Sequence, residues 1–281
     1  MATESVESQR RRRGAGRNLP AAIGVSVVLG GLVLGTLFTY RLGFVVLLVV
    51  VIAGAVWELV RALGRAGIHP PLVPLLAGVL AIDLLAWFRG GGALTVAFLL
   101  TALGCLVWRL AEGPAGYLRD VSAAVFVTMY VPFLAGYAVL LAVPDDGARR
   151  VVTFIATVVC SDVGGYAAGV LLGRHPMAPT VSPAKSWEGF GGSTIACVAA
   201  GIVFLVAFFD AAWWQGALFG LAIVVTATLG DLVESMIKRD LGIKDMGTIL
   251  PGHGGIMDRL DSLLPAAAVS WLLLSAFAPV G

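Results

Sequence analysis

Apolar residues fall in long blocks along this chain, and polar residues gather between them. The blocks cover about 19–38, 44–60, 71–88, 92–108, 121–143, 151–173, 189–209, 215–232 and 263–280. Each has the length needed to cross about 30 Å of hydrocarbon as a helix rising about 1.5 Å per residue. The pattern predicts an all-α polytopic membrane protein with about nine transmembrane helices. Only Arg89-Gly-Gly-Gly separates the third block from the fourth, so a re-entrant pair competes with two full spans there.

Composition excludes a soluble domain: 59% of residues are hydrophobic and 13% charged, with a mean hydropathy of +0.94, against about 25% charged in soluble domains. Cys105, Cys160 and Cys197 all lie in apolar blocks without metal-ligand spacing, and read as small buried residues. The net charge of +2 is uninformative, but its distribution is not. With the N-terminus in the cytoplasm, all of the 19 Lys and Arg except Arg41, Arg89, Arg149 and Arg150 face that side. The positive-inside rule therefore predicts an N-terminus inside and a C-terminus on the opposite side.

Three regions follow. Residues 1–18, with Arg10–Arg13 and Arg17, are expected to be a disordered cytoplasmic tail that fixes topology, with anionic-lipid or nucleic-acid contact a secondary reading. A cleaved signal peptide is not expected, because the next block is long enough to span. Residues 19–143 read as a scaffold of helices that also serves lipid access or dimerisation, and residues 144–281 as the region that carries the chemistry. Both long polar stretches of that second region, about 174–188 and 233–262, fall on the cytoplasmic side, where nucleotides are.

An ionisable residue at the centre of a span costs about 2.5–3.5 kcal/mol, so each needs a reason. Glu58, three residues before Arg61, reads as half of an interfacial ion pair. Asp83 suits a structural pairing and a cavity equally. Asp162, Gly165, Tyr166 and Gly169 are spaced to share one helix face, which suits either small-residue packing or an acid facing a water-filled cavity. Ser182-Pro-Ala-Lys-Ser-Trp-Glu-Gly189 offers hydroxyls and one ammonium for phosphate oxygens, although an interfacial loop with a Trp anchor looks similar.

The densest polar stretch is Asp231 to Asp261. Asp231, Glu234, Ser235 and Lys238 share one helix face as a span ends, and Asp258 and Asp261 open the next span. Carboxylates on both sides of a Gly-rich turn are able to converge on one divalent cation, and such oxygen ligands suit Mg²⁺. Lys238, Arg239, Lys244 and Arg259 supply charge that neutralises phosphates.

Ser235-Met-Ile-Lys-Arg239, Lys244-Asp-Met-Gly247 and Leu250-Pro-Gly-His-Gly-Gly-Ile-Met-Asp-Arg-Leu-Asp261 together resemble the signature of the phosphatidate cytidylyltransferase (CDP-diacylglycerol synthase) family. Asp231-Leu-Val-Glu234, Ser161-Asp162 with Tyr166, and the Ser182–Gly189 loop resemble its other polar blocks, so the likeness covers about 120–281. Ala184 and Ser186 stand where the family usually has Lys and Thr, which removes one phosphate-neutralising charge; Val163 and Gly165 also depart from it.

The resemblance implies CTP and phosphatidate as substrates, CDP-diacylglycerol and pyrophosphate as products, Mg²⁺ with or without a second cation, and a homodimer in the cell membrane acting on its cytoplasmic face. It implies Asp231 and Asp258 as principal metal ligands, with Asp162 and Asp261 supporting them. Lys185, Lys238, Arg239, Lys244 and Arg259 would contact phosphates. Ser182, Ser235 and His253 would donate hydrogen bonds, and Gly254 and Gly255 would bring backbone close to the nucleotide. Two other readings compete: a CTP-dependent kinase of a polyprenol-type alcohol, and an ion-coupled transporter using Asp83, Asp162 and Asp231.

Overall fold

A computed structural model describes residues 19–249 and 254–279. The basic tail, 1–18, lies outside the described residues, as do 250–253. The apolar blocks are helices: α1 Leu19–Thr39, α2 Arg41–Arg65, α3 Leu72–Arg89, α4 Gly91–Leu110, α5 Tyr117–Ala142, α6 Gly147–Leu172, α7 Trp187–Phe209, α8 Trp213–Asp240 and α9 Met257–Phe277. Among the described residues, eight of these are long and apolar enough to cross a membrane; α1 adds a helix of 21 residues. Several run a turn or more beyond their apolar block and carry charged side chains out on helical backbone.

Between α3 and α4 the chain stays helical on both sides of Gly90, whose φ of 77° and ψ of −167° break the hydrogen-bond ladder. A residue with a Cβ rarely adopts that backbone. The two arms have 18 and 20 residues, so each is long and apolar enough to cross a membrane by itself. In α5, Pro132 lacks an N–H, and the helix widens to a π turn over Met129–Phe133.

Connections alternate between two ends of the bundle. At one end, the His69 N–H donates to Asp120, which also accepts from the buried Arg109 guanidinium at 3.0 Å. At the other, the Arg41 guanidinium donates to the Pro144 carbonyl, and Arg150, 3% exposed, donates to the carbonyls of Leu274 and Ala278. Arg41 and Arg150 are thus tied into the protein at that second end.

Packing differs between the halves. Leu, Val and Ile side chains of α2, α3 and α5 interlock in the first half. In the second half, α6, α7 and α8 approach backbone to backbone, as small residues permit. A Cβ on Gly192 would lie 2.6 Å from the Gly164 carbonyl of α6, and one on Gly201 would lie 3.0 Å from the Gly220 N of α8. The Ser193 hydroxyl donates to the Ser161 carbonyl at 2.7 Å, pinning α7 to α6. Between these two helices the polar segment forms an antiparallel hairpin, β1 Pro176–Ala178 and β2 Ser182–Ser186, where the sequence reading had only a loop.

Candidate active site

The hairpin closes on its own base. Glu188, in the first turn of α7, accepts from the backbone N–H groups of Arg174 and His175 at 3.1 and 3.2 Å, and its other oxygen lies 2.5 Å from His175 Nδ1. Ser186 caps α7 by accepting from the Gly189 N–H. Beneath the hairpin, α6, α7 and α8 enclose a cavity of about 340 Å³ lined by Asp162, Tyr166, Ser182, Lys185, Ser186 and Asp231 among others. The face of Asp162, Gly165, Tyr166 and Gly169 anticipated from spacing is one wall of it.

Lys185 Nζ reaches Asp231 Oδ2 at 2.6 Å, and the Ser235 hydroxyl donates to Asp231 Oδ1 at 3.3 Å. Behind Asp231 the acids of α8 and α9 face one another. The charges of Asp162, Asp231 and Asp261 act on one another, and those of Glu234 and Asp261 do likewise. Glu234 is fully buried, and neither of its oxygens has a hydrogen-bond donor among the described residues. Lys238 Nζ lies 3.3 Å from Glu234 Oε2 and 2.9 Å from Asp258 Oδ1, bridging the two helices. Asp258 Oδ2 accepts from the N–H groups of Met246 and Gly255 at 3.0 and 2.9 Å. The Arg259 guanidinium is near enough for its charge to act on Asp162.

The fold therefore gathers Asp162, Lys185, Asp231, Ser235, Lys238, Asp258, Arg259 and Asp261 at one end of the bundle, with Ser182 on the cavity wall. Arg239 Nε donates to the Val181 carbonyl in the hairpin turn, and Lys244 is exposed. Gly254 has a φ of +91°, and the Gly255 N–H is used by Asp258. His253 lies outside the described residues.

One expectation changes. Glu58 does not pair with Arg61, whose guanidinium instead sits 5.1 Å from the Trp57 ring centroid. Glu58 is 2% exposed and accepts from the Met257 N–H at 3.0 Å, because α2 turns that side chain inward onto the start of α9. Asp258, expected with Asp231 as a principal metal ligand, accepts from Lys238 and from the Met246 and Gly255 N–H groups. Asp83 is fully buried without a hydrogen bond among the described residues and does not line the cavity, so the three ion sites of the transporter reading do not form one set.

Sequence reasoning gave no role to Glu188, Ser193 or Tyr130. The π turn carries Tyr130 to within electrostatic reach of Glu234, Asp261 and Asp231, with its hydroxyl buried. Pro132 inside an apolar block was the available signal.

Among the described residues no three Asp, Glu, His or Cys side chains already stand in a metal-holding arrangement. The donor chemistry nevertheless fits a hard cation: Asp162, Asp231 and Asp261 offer only oxygen, and their mutual repulsion is relieved by positive charge.

A family model described as the cytidylyltransferase family matches residues 20–277. The chain is 46% identical to the phosphatidate cytidylyltransferase of Mycobacterium leprae, covering 96% of this chain and 91% of that protein. It is 43% identical to the phosphatidate cytidylyltransferase of Mycobacterium tuberculosis over 93% of this chain and 84% of that one. It is also 37% identical to that of Brucella suis over 67% and 68% of the two chains.

Proposed function

The chain belongs to the cytidylyltransferase family, and from that membership we infer that it transfers the cytidylyl group of CTP to phosphatidate, giving CDP-diacylglycerol and pyrophosphate. The observation that carries this reading is the polar cavity under the hairpin, lined by Asp162, Lys185 and Asp231, with the charges of Arg259 and Asp261 acting on Asp162 from beside it, at one end of a membrane bundle.

Phosphatidate brings its own nucleophile, an anionic phosphate oxygen, so no Ser, Cys or strong base is required. That oxygen bonds to the α-phosphorus of CTP, and the bond from the α-phosphorus to the oxygen bridging to the β-phosphorus breaks. What remains for the protein is alignment of two anions and neutralisation of their charge. Lys185 and Ser182 line the cavity, and we assign the lysine to a nucleotide phosphate. Arg259 balances charge near Asp162. Lys238 and Asp258 hold α8 and α9 in register. We assign Asp231, Asp162 and Asp261 to a Mg²⁺ ion, with Asp258 placed more as an anchor than as a ligand. When bound, Mg²⁺ supplies Lewis-acid withdrawal of charge from phosphate oxygens.

The reaction end is assigned to the cytoplasm of a cell-membrane protein. That end carries most of the Lys and Arg, whereas two of the four at the other end, Arg41 and Arg150, are tied into the protein. A single cysteine replacing the exposed Thr180 in the hairpin tests this: labelling by an impermeant reagent from outside intact cells would overturn the orientation. The homodimer belongs to the same reading and is tested by the mass of the protein in nanodiscs.

The decisive experiment is reconstitution with CTP labelled at the α-phosphate, phosphatidate and Mg²⁺. Labelled CDP-lipid and pyrophosphate should form in equal amounts, and EDTA should stop both. With a polyprenol supplied in place of phosphatidate, release of CDP with the phosphorylated alcohol would establish the kinase reading instead. Ion flux without CTP turnover would establish the transporter.

A further inference from the structure

We infer that Glu58, from the first half of the chain, is a positioning residue for residues 246–247 and 255–258: its carboxylate fills the space left by Gly247 and binds the first turn of α9, and thereby sets Asp258 and Lys238. This rests on the reading of that end of the bundle as the catalytic one.

The geometry is specific. Glu58 lies inside α2, and Oε2 accepts from the Met257 N–H at 3.0 Å. A Cβ placed on Gly247 would have three Glu58 atoms, Oε1, Cδ and Cγ, as its three nearest neighbours, the farthest at 3.0 Å. A Cβ on Gly255 would lie 2.6 Å from Glu58 Oε2 and 2.9 Å from Asp258 Oδ2. Neither glycine has a positive φ, so backbone conformation does not demand glycine at either place. At Gly247 the demand comes from Glu58. Met246 and Met257, 3% and 0% exposed, plug the segment into the core formed by α2 and α5. The stretch seated this way is the one whose Met246 and Gly255 N–H groups hold Asp258 Oδ2. The other oxygen of Asp258 takes Lys238 at 2.9 Å. The connection therefore runs from Glu58 through backbone to Asp258 and Lys238, with no contact between Glu58 and substrate needed.

The test is a double-mutant cycle on the full-length protein in nanodiscs: E58A, G247A, E58A/G247A, and E58Q as the conservative variant. Two readouts are taken, kcat with KM for CTP per monodisperse protein, and the rate of protease cleavage within 241–256. E58A and G247A should each lower kcat about tenfold or more, the size of losing a hydrogen bond to a charged group. The double variant should be no worse than E58A and better than G247A, because removing the carboxylate makes room for the new methyl. E58Q, which keeps an acceptor, should recover to within about threefold of the parent. Additive losses in the cycle, or E58Q as impaired as E58A, would overturn the inference. If the parent makes no CDP-lipid, the functional reading fails, while the same non-additivity in cleavage still decides whether Glu58 and Gly247 share one space.

Discussion

Lys238 is the cation between two buried acids, and replacing it with methionine removes the charge while keeping the chain length. The lysine is 16% exposed, Glu234 is fully buried and Asp258 is 8% exposed, so bulk water screens these contacts little. Breaking a buried ion pair by removing one partner costs about 3–5 kcal/mol, because a charge is left without compensation. Protonation of the buried Glu234 offsets part of this, so about 3 kcal/mol of local stabilisation should be lost, about a hundredfold in the closed-to-open ratio of the segment. Hydrogen–deuterium exchange in nanodiscs should show the amides of 241–249 and 254–258 opening about a hundredfold more often, with CDP-lipid formation falling at least as far. Adding Glu234→Gln should restore most of the protection, since the stranded acid is gone, but none of the turnover. A Lys238→Met protein with unchanged exchange and turnover within about threefold of the parent would refute the reasoning.

Three further outcomes follow from the same geometry. Lys185→Ala should shift stability by less than about 1 kcal/mol, because Asp231 is 38% exposed, yet raise the KM for CTP about tenfold through loss of a charge-assisted phosphate contact; steady-state kinetics with unchanged KM would reject that role. Glu188→Gln should accelerate protease cleavage within 176–186 by weakening the clamp on His175 and the Arg174 N–H, and cleavage at the parental rate would mean that the hairpin is held elsewhere. Gly192→Val should cost about 1–3 kcal/mol by forcing α6 and α7 apart, read as a lower unfolding midpoint in detergent; an unchanged midpoint would contradict the close approach of these helices.

The spans were legible because hydrocarbon thickness is imposed from outside the chain, so block length alone reports it. The wall made by Asp162, Gly165, Tyr166 and Gly169 was legible from helical spacing for a similar reason. What the sequence hid was long-range. Glu58 and Arg61 share a helix face locally, but the partner that orders Glu58 is the backbone of Met257, 199 residues away. The electrostatic coupling of Glu234 to Asp261 depends on how α8 meets α9, where a Cβ on Gly230 would lie 2.6 Å from Pro265 Cγ. The hairpin was hidden for another reason: its strands have three and five residues, too short for alternation to show.

The glycine seams between α6, α7 and α8 also bear on how the cavity takes up and gives back its contents. Main chain resting on main chain has no rotamer to turn aside, so three sides of the trough keep a fixed width. The roof is instead tethered by polar contacts at Glu188, Arg239 and Lys185. If Lys185 meets the nucleotide as proposed, a triphosphate would compete for that lysine. Arrival of the nucleotide and loosening of its cover would then be a single event, and its rate should rise with ionic strength where the rate of the chemistry does not.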